Sequence, residues 1–76
     1  MPKLTTVHWK KFEKFLFYVG CTFDRTKGDH CIYVRDGLRR PIVVKMIMDL
    51  PVYIIKNNLR ELDVSHNEYL DIINSL

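Results

Sequence analysis

His30 is the side chain of this sequence that is best suited to moving a proton. An imidazole changes charge near neutral pH, and for that reason histidine is the usual general acid or base at physiological pH. It directly follows the dipeptide Gly28-Asp29, and the expected neighbours are the cations Arg25, Lys27 and, in one register of the third strand, Lys45. Cations around such a group favour an anionic substrate, because they stabilise negative charge that develops during a reaction. The alternative is a surface histidine that only packs beside Lys27.

The other groups with catalytic or metal-binding chemistry are isolated in the sequence. His8 and His66 each stand at a predicted helix start, with nothing convergent around them. Cys31 adjoins His30, but neighbouring side chains of a strand point to opposite faces, which argues against a Cys-His pair. The two cysteines lack CxxC spacing and the three histidines are scattered along the chain. The sequence therefore predicts no metal site and no cofactor.

A β-hairpin is expected to position His30. Residues 21–27 and 30–35 are rich in Thr, Phe, Ile, Tyr and Val, which is typical of strands, and Gly28-Asp29 separates them. Glycine at the first central position suits a type II′ turn, whose twist matches that of the flanking strands. The turn predicts three cross-strand pairs: Lys27 with His30, Arg25 with Ile32, and Phe23 with Val34.

This register places all six paired side chains on one face of the hairpin. We expect the three apolar ones in the covered part of that face, while Arg25, Lys27 and His30 emerge toward the hairpin end. In the same register Cys21 and Cys31 point to opposite faces, which argues against a disulfide between them.

A third strand is predicted at residues 40–45, after the turn signal Asp36-Gly37. The sheet is then a three-stranded antiparallel meander. If the connecting loop comprises residues 36–39, Lys45 falls opposite His30. If the loop is only Asp36-Gly37, Val43 takes that position, and the sequence leaves both registers open.

Helical patterns flank the predicted sheet. From Thr6, a plausible N-cap, to Gly20, a plausible C-terminal glycine, apolar residues recur at helical spacing opposite a basic face. The apolar stripe of this first helix comprises Trp9, Phe12, Phe15, Leu16 and Val19.

Two further helices are predicted after the sheet. Asp49 is the expected cap of the second helix, with Pro51 in its first turn. Residues 65–68 read as a capping box that opens the last helix. The side chains expected to be buried are Ile55, Leu59 and Leu62 in the second helix, and Leu70 and Ile73 in the third.

The resulting order, α-β-β-β-α-α, predicts a two-layer α+β domain with the helices on one face of the sheet. A chain of 76 residues with 47% apolar content allows one thin core, so we expect a single domain spanning residues 1–76. This size excludes most large enzyme scaffolds. No segment is long and apolar enough for a bilayer and no secretory signal is apparent, which predicts a cytoplasmic protein with reduced thiols and no membrane partner.

Charge is distributed unevenly along the chain. Residues 1–45 carry ten basic and four acidic side chains for a net +6, whereas residues 46–76 carry two basic and five acidic ones for −3. The basic half that contains His30 is therefore a candidate surface for a polyanion. In the alternative structural interpretation, the basic half is a solvated face and the acidic half is a dimer surface.

Several short motifs together resemble one protein family. The segment Gly28-Asp29-His30-Cys31-Ile32-Tyr33 resembles the short G-S-H-x-I-Y motif of the HicA-like bacterial mRNA interferase toxins. It follows a Gly20-Cys21-Thr22-Phe23 entry and precedes Asp36-Gly37. Residues 59–65 and 68–70 look like that family's closing helix, its helix-ending loop and its final short helix. The resemblance covers about residues 6–74.

The resemblance implies both a fold and an activity. The family has a double-stranded-RNA-binding-domain-like fold, and its members cleave mRNA through the histidine of the motif, without metal, until a HicB antitoxin binds them. On this chain that histidine is His30, and Arg25, Lys27 and Lys45 are the expected RNA-binding residues. Because RNA carries its own nucleophile, the 2′-hydroxyl, proton transfer and charge stabilisation are sufficient for cleavage. The alternative is a non-catalytic RNA-binding or antitoxin-binding module on the same fold.

The sequence departs from the family motif at three places. Asp29 replaces the serine before the histidine, and its carboxylate would repel a phosphate unless it turns away or is paired. Cys31 stands where many members have a second histidine. Val44-Lys45-Met46 stands where the family has a proline-histidine pair.

Overall fold

The computed structural model describes residues 3–76 and has the predicted element order. Residues 1 and 2 of the predicted domain lie outside the described residues. The elements are α1 (Trp9–Tyr18), β1 (Thr22–Lys27), β2 (His30–Val34), β3 (Ile42–Lys45), α2 (Val52–Leu62) and α3 (His66–Ser75). The strands form an antiparallel sheet in the order β1-β2-β3, so that β2 is central. This is the predicted two-layer α+β architecture, and it agrees with the double-stranded-RNA-binding-domain-like fold that the resemblance implies.

Across residues 3–76, no helix has both the length and the apolar character needed to cross a lipid bilayer.

The two faces of the sheet have different environments. The face that packs on the helices, called the covered face below, presents six side chains: Phe23, Thr26, Cys31, Tyr33, Ile42 and Val44. The opposite face, called the open face, presents Arg25, Lys27, His30, Ile32, Val43 and Lys45. The expectation that helices cover the face carrying His30 is therefore wrong. Ile32 is buried, but it lies outside the core that the helices share with the sheet.

The hairpin has the predicted register at its turn and a different one beyond it. Lys27 pairs with His30 and Arg25 with Ile32, as predicted. Gly28 has a φ of 62°, the conformation that a type II′ turn requires at its first central position. The register then shifts between Phe23 and Arg25, because β1 contains one extra residue there.

This bulge corrects the prediction for Phe23. The residue pairs with Tyr33 rather than with Val34 and therefore lies on the covered face. The rings of Phe23 and Tyr33 meet edge to face, with 5.9 Å between their centroids. A bulge moves every side chain beyond it to the other face of the strand, and no glycine in β1 signals this one.

Helix α1 begins later than predicted and ends where predicted. Its N-cap is His8, whose Nδ1 accepts a hydrogen bond from the Lys10 backbone N–H at 3.1 Å, and not Thr6. The preceding segment is instead extended, because Val7 forms a β-bridge with Leu50. At the other end Gly20 has a φ of 94°, a conformation that favours glycine after the last helical turn.

The core lies between the covered face and the three helices. Phe12, Phe15 and Tyr69 form an aromatic cluster in which the last two rings meet edge to face at 4.9 Å. Cys21 and Cys31 are both buried in this core as free thiols. The prediction that they point to opposite faces is wrong, because Cys21 precedes β1 and does not follow the alternation of the strand.

Helices α2 and α3 complete the layer. Pro51 is the N-cap of α2, and no side chain makes a capping hydrogen bond there. The prediction that Asp49 caps this helix is therefore wrong. The capping box of α3 is confirmed, with the Ser65 hydroxyl accepting from the Glu68 backbone N–H at 3.1 Å. The predicted core residues Ile55, Leu59, Leu62 and Ile73 are buried, Leu70 is partly buried, and Tyr69 is a buried residue that the pattern did not indicate.

Arg35 ties the hairpin to the helical layer. Its guanidinium donates to the backbone carbonyl of Val19 at the end of α1, at 2.9 Å, and to that of Leu62 at the end of α2, at 3.4 Å. A cation at two helix C-termini stabilises both, because carbonyl groups there carry partial negative charge. One of the basic residues of the N-terminal half therefore has a structural role.

Candidate active site

His30 lies in the middle of a row of three basic side chains that crosses the open face. It is the first residue of the central strand, directly opposite Lys27 of β1 and Lys45 of β3. Of the two registers that the sequence left open for β3, the structure has the one that places Lys45 there. Directly opposed residues of an antiparallel pair have their side chains close together on one face. The imidazole is 43% exposed and the Lys45 side chain 52% exposed, so both are accessible to a ligand.

Asp29 contacts two members of this row. One carboxylate oxygen, Oδ1, lies 2.9 Å from Nδ1 of His30, and the other, Oδ2, lies 3.8 Å from Nζ of Lys45. The carboxylate is therefore paired with cationic side chains. Such pairing is one of the two conditions under which we expected Asp29 not to repel a phosphate. Because Nδ1 faces the carboxylate, Nε2 is the imidazole nitrogen left for a substrate.

The two remaining cations of the open face differ in their partners. Arg25 forms an ion pair with the adjacent Asp24, the extra residue of the bulge. In a regular strand these neighbours would point to opposite faces, and for that reason the sequence did not indicate the pair. Within residues 3–76, Lys27 has no carboxylate partner. Lys27 is thus the cation of the row that needs no exchange of partners to bind an anion.

Two shallow depressions meet at His30. One lies over the open face and is lined by Arg25, Lys27, Gly28, Asp29, His30, Ile32, Pro41 and Val43. The other continues toward the start of α2 and is lined by His30, Val43, Lys45, Ile47, Leu50, Pro51, Tyr53 and Ile54. Both depressions are lined mostly by apolar surface, and each also contains basic side chains: Arg25 and Lys27 in the first, and Lys45 in the second. The imidazole therefore lies where apolar surface and basic side chains meet on both sides.

The remaining candidates for chemistry lie away from this site. His8 caps α1 in place of the predicted Thr6, and His66 begins α3, so both lie at helix starts as the sequence indicated. Burial raises the pKa of the Cys21 thiol, and the nearby Arg35 offsets part of that effect. Nowhere in residues 3–76 do three or more His, Cys, Asp or Glu side chains come together as ligands of one metal ion.

The site contains one residue whose part in it the sequence did not indicate. The motif drew attention to Asp29 only as a departure that would repel a phosphate. Its contacts with His30 and Lys45 depend on side-chain directions in a two-residue turn, for which spacing gives no signal. A charged residue in the tight turn next to a histidine is nevertheless a feature that a sequence can flag for inspection.

Comparison with known proteins relates the whole site to one family. The family model described as the HicA toxin of bacterial toxin-antitoxin systems matches residues 9–64. No match was found among curated proteins or among solved structures. The matched region begins at the first residue of α1, ends just after α2 and includes the hairpin that carries His30. The chain therefore belongs to the HicA family of toxins from toxin-antitoxin systems.

Proposed function

We propose that this protein is an endoribonuclease that cleaves mRNA in the cytoplasm, with His30 as general acid or base. Arg25, Lys27 and Lys45 bind the RNA phosphates in this proposal. The observation that carries it is the basic row of the open face, in which a 43% exposed imidazole lies between two cross-strand lysines. A proton-transfer group flanked by cations suits cleavage of a phosphodiester, whose transition state carries additional negative charge.

The proposed reaction uses the nucleophile of the substrate. The RNA 2′-hydroxyl oxygen attacks the adjacent phosphorus and the bond from phosphorus to the 5′-oxygen breaks, which leaves a 2′,3′-cyclic phosphate and a 5′-hydroxyl. The 2′-hydroxyl loses a proton and the 5′-oxygen gains one, so the step is balanced. His30 transfers one of these protons through Nε2, and solvent transfers the other.

The cations stabilise the phosphate during this step. Lys27 and Lys45 lie on either side of the imidazole, so a phosphate beside Nε2 is within reach of a positive charge from each neighbouring strand. Arg25 lies two pairs further from the turn, across from Ile32, and binds the next part of the RNA backbone. Contacts of this kind carry no sequence preference and weaken as the salt concentration rises.

We further propose that a HicB-type antitoxin inhibits the protein by covering His30 and the open face. Val43, at 42% exposure, and Val34, at 39%, add apolar surface beside the cations. A mixed apolar and basic surface suits an acidic protein partner. The neighbouring gene provides an inexpensive check: it should encode an acidic protein with its own DNA-binding motif, and an isolated gene would count against the antitoxin.

The catalytic proposal is tested with His30→Ala and a matched control, His66→Ala. His66 lies at the start of α3, outside the open face, so its loss removes an imidazole without affecting the site. Both variants and the wild type are expressed without antitoxin, and cleavage of single-stranded RNA is measured. We expect a loss of about 10²–10⁴-fold for His30→Ala, the range typical of general acid-base groups, and near wild-type cleavage for His66→Ala.

Two results would contradict the catalytic role. In one, the wild type neither arrests growth nor cleaves RNA. In the other, His30→Ala does both as well as the wild type. The alternative is then a non-catalytic RNA-binding or antitoxin-binding module on the same fold. RNA affinity that does not fall between low and moderate salt would exclude phosphate binding by either kind of protein.

A further inference from the structure

We infer that Asp29 is a positioning residue for His30, whose carboxylate holds the imidazole in the tautomer that leaves Nε2 free for the substrate. The catalytic part of this inference rests on the proposed ribonuclease function, whereas the effect on the tautomer does not. It concerns a position at which this chain departs from the family motif, so the resemblance does not supply it.

The contact between the two side chains determines which nitrogen carries the proton. Nδ1 of His30 lies 2.9 Å from Oδ1 of Asp29, within hydrogen-bond distance. An ionised carboxylate can only accept, and a bare nitrogen lone pair would repel it at this distance, so the contact favours the tautomer that carries the proton on Nδ1. A neutral imidazole has one N–H, and therefore Nε2 bears the lone pair. The nitrogen that can accept a proton thus lies on the side of the ring away from Asp29.

Asp29 is itself held from two sides. Its backbone carbonyl accepts from the Met46 N–H at 2.8 Å, which joins the hairpin turn to the chain just after β3. Its second carboxylate oxygen lies 3.8 Å from the Lys45 ammonium. The backbone bond holds the residue beside the end of β3, and the lysine attracts the carboxylate toward the site. The charged groups that face the imidazole are thus Asp29 beside it and Lys27 and Lys45 on the neighbouring strands.

This arrangement gives the acidic residue a favourable role in a site for an anion. The negative charge is directed at a histidine and a lysine instead of at the place where a phosphate would lie. Mutation of a side chain that orients a functional histidine typically lowers activity or ligand affinity by about 10–100-fold. The opposing interpretation is that the carboxylate repels RNA and reduces activity.

The tautomer is measured directly, in the RNA-free full-length protein, from the nitrogen NMR shifts of the His30 ring. Asp29→Ala removes the acceptor, and Asp36→Ala is the matched control because it removes an exposed carboxylate from the turn after β2. We expect the neutral ring to carry its proton on Nδ1 in the wild type and in Asp36→Ala. In Asp29→Ala the proton should move largely to Nε2. An unchanged ring tautomer in Asp29→Ala would overturn the inference.

Cleavage kinetics test the catalytic consequence. We expect Asp29→Ala to lower kcat by about 10–100-fold with little change in KM. Asp29→Asn, whose amide oxygen can still accept from Nδ1, should retain more activity than Asp29→Ala. Cleavage by Asp29→Ala that equals or exceeds that of the wild type would overturn the positioning role and support repulsion. If the wild type does not cleave RNA but the His30 proton moves to Nε2 in Asp29→Ala, the proposed ribonuclease function fails. The effect of Asp29 on the His30 tautomer is then still supported.

Discussion

The open and covered faces of the sheet are built from alternate residues of the same three strands. Val44 is fully buried against the helices, whereas its neighbour Val43 is 42% exposed. Cys31 is in the core, and the residue before it, His30, is accessible. Because one face is sufficient to hold the helical layer, the residues of the other face, apart from the buried Ile32, are accessible for binding and catalysis.

The polar groups of the two faces are also held differently. On the covered face the Tyr33 hydroxyl donates to Glu13 of α1, and the ring packs between Phe17 and Phe23. On the open face the partners of Lys45 and His30 come from a single residue, Asp29, whose side chain is 59% exposed. A ligand can therefore replace or rearrange contacts on the open face without disturbing the core.

The largest expected effect on stability is at Val44, and its neighbour Val43 provides the comparison. Val44→Ala removes buried methyl groups and should lower the free energy of unfolding by about 2 kcal/mol, from lost burial and the cavity left behind. Val43→Ala removes the same atoms from an exposed position and should change it by less than about 0.5 kcal/mol. Urea unfolding of the two variants and the wild type measures both values. Equal losses would mean that the open face is as important for folding as the covered face.

The difference between the faces shows which parts of the fold the sequence determines locally. Gly28 sets the turn, and with it the pairing of Lys27 with His30. The capping box at Ser65 likewise acts within four residues, and both features were predicted. The bulge at Asp24 was not, because one extra residue in a strand leaves the composition of the strand unchanged. The late start of α1 depends on Val7 meeting a residue more than forty positions away.

The site shows the same division between local and distant determinants. His30 and Lys27 follow from the hairpin turn, so their proximity could be read from the sequence. Lys45 joins them only in one of two loop lengths, and because the two registers differ by two residues, both bury the same face of β3 and the alternation of apolar residues does not distinguish them. The contacts of Asp29 depend on side-chain torsions, for which no pattern exists at the level of spacing.

The second prediction concerns where on the surface RNA binds. The triple variant Arg25→Gln, Lys27→Gln and Lys45→Gln removes three positive charges from the open face. Each phosphate contact with single-stranded nucleic acid contributes about −0.7 to the slope of log affinity against log salt, so the slope should become shallower by about 2. Between 50 and 200 mM salt this corresponds to about a 20-fold difference in the loss of affinity. Fluorescence anisotropy with a labelled RNA at several salt concentrations measures the slopes.

The matched control removes the same charge from another surface. Lys10, Lys11 and Lys14 lie on α1, in the helical layer, and their replacement by Gln also lowers the net charge by three. If binding is local to the open face, this variant should keep most of the wild-type slope. Equal effects of the two triple variants would show that RNA responds to the net charge of the protein, and the distinction between the faces would fail for binding.

The smallest effect is expected at Tyr33, a titratable residue of the covered face. Burial and the hydrogen bond to Glu13 raise its pKa above the usual range, and burial raises the pKa of Tyr69 to about 12. A tyrosine that keeps its proton more tightly in the folded state stabilises the fold fully below the unfolded pKa of about 10. That contribution is lost as the pH rises from there toward the folded pKa.

Tyr33→Phe should therefore lower the stability of the fold near pH 7 but reduce the further loss of stability above pH 10. Near pH 7 it loses the hydrogen bond to Glu13 and lowers the free energy of unfolding by about 1 kcal/mol. Above pH 10 the wild type loses stability with each further rise, and the variant should lose less, because its phenyl ring cannot ionise and only the contributions of the other buried groups, Tyr69 and Cys21, remain. Urea unfolding at pH 7 and pH 11 measures the two differences. If both proteins lost the same free energy of unfolding between pH 7 and pH 11, the Tyr33 hydroxyl would ionise in the folded protein without a cost in stability. The helices would then shield the covered face from water less than its burial implies.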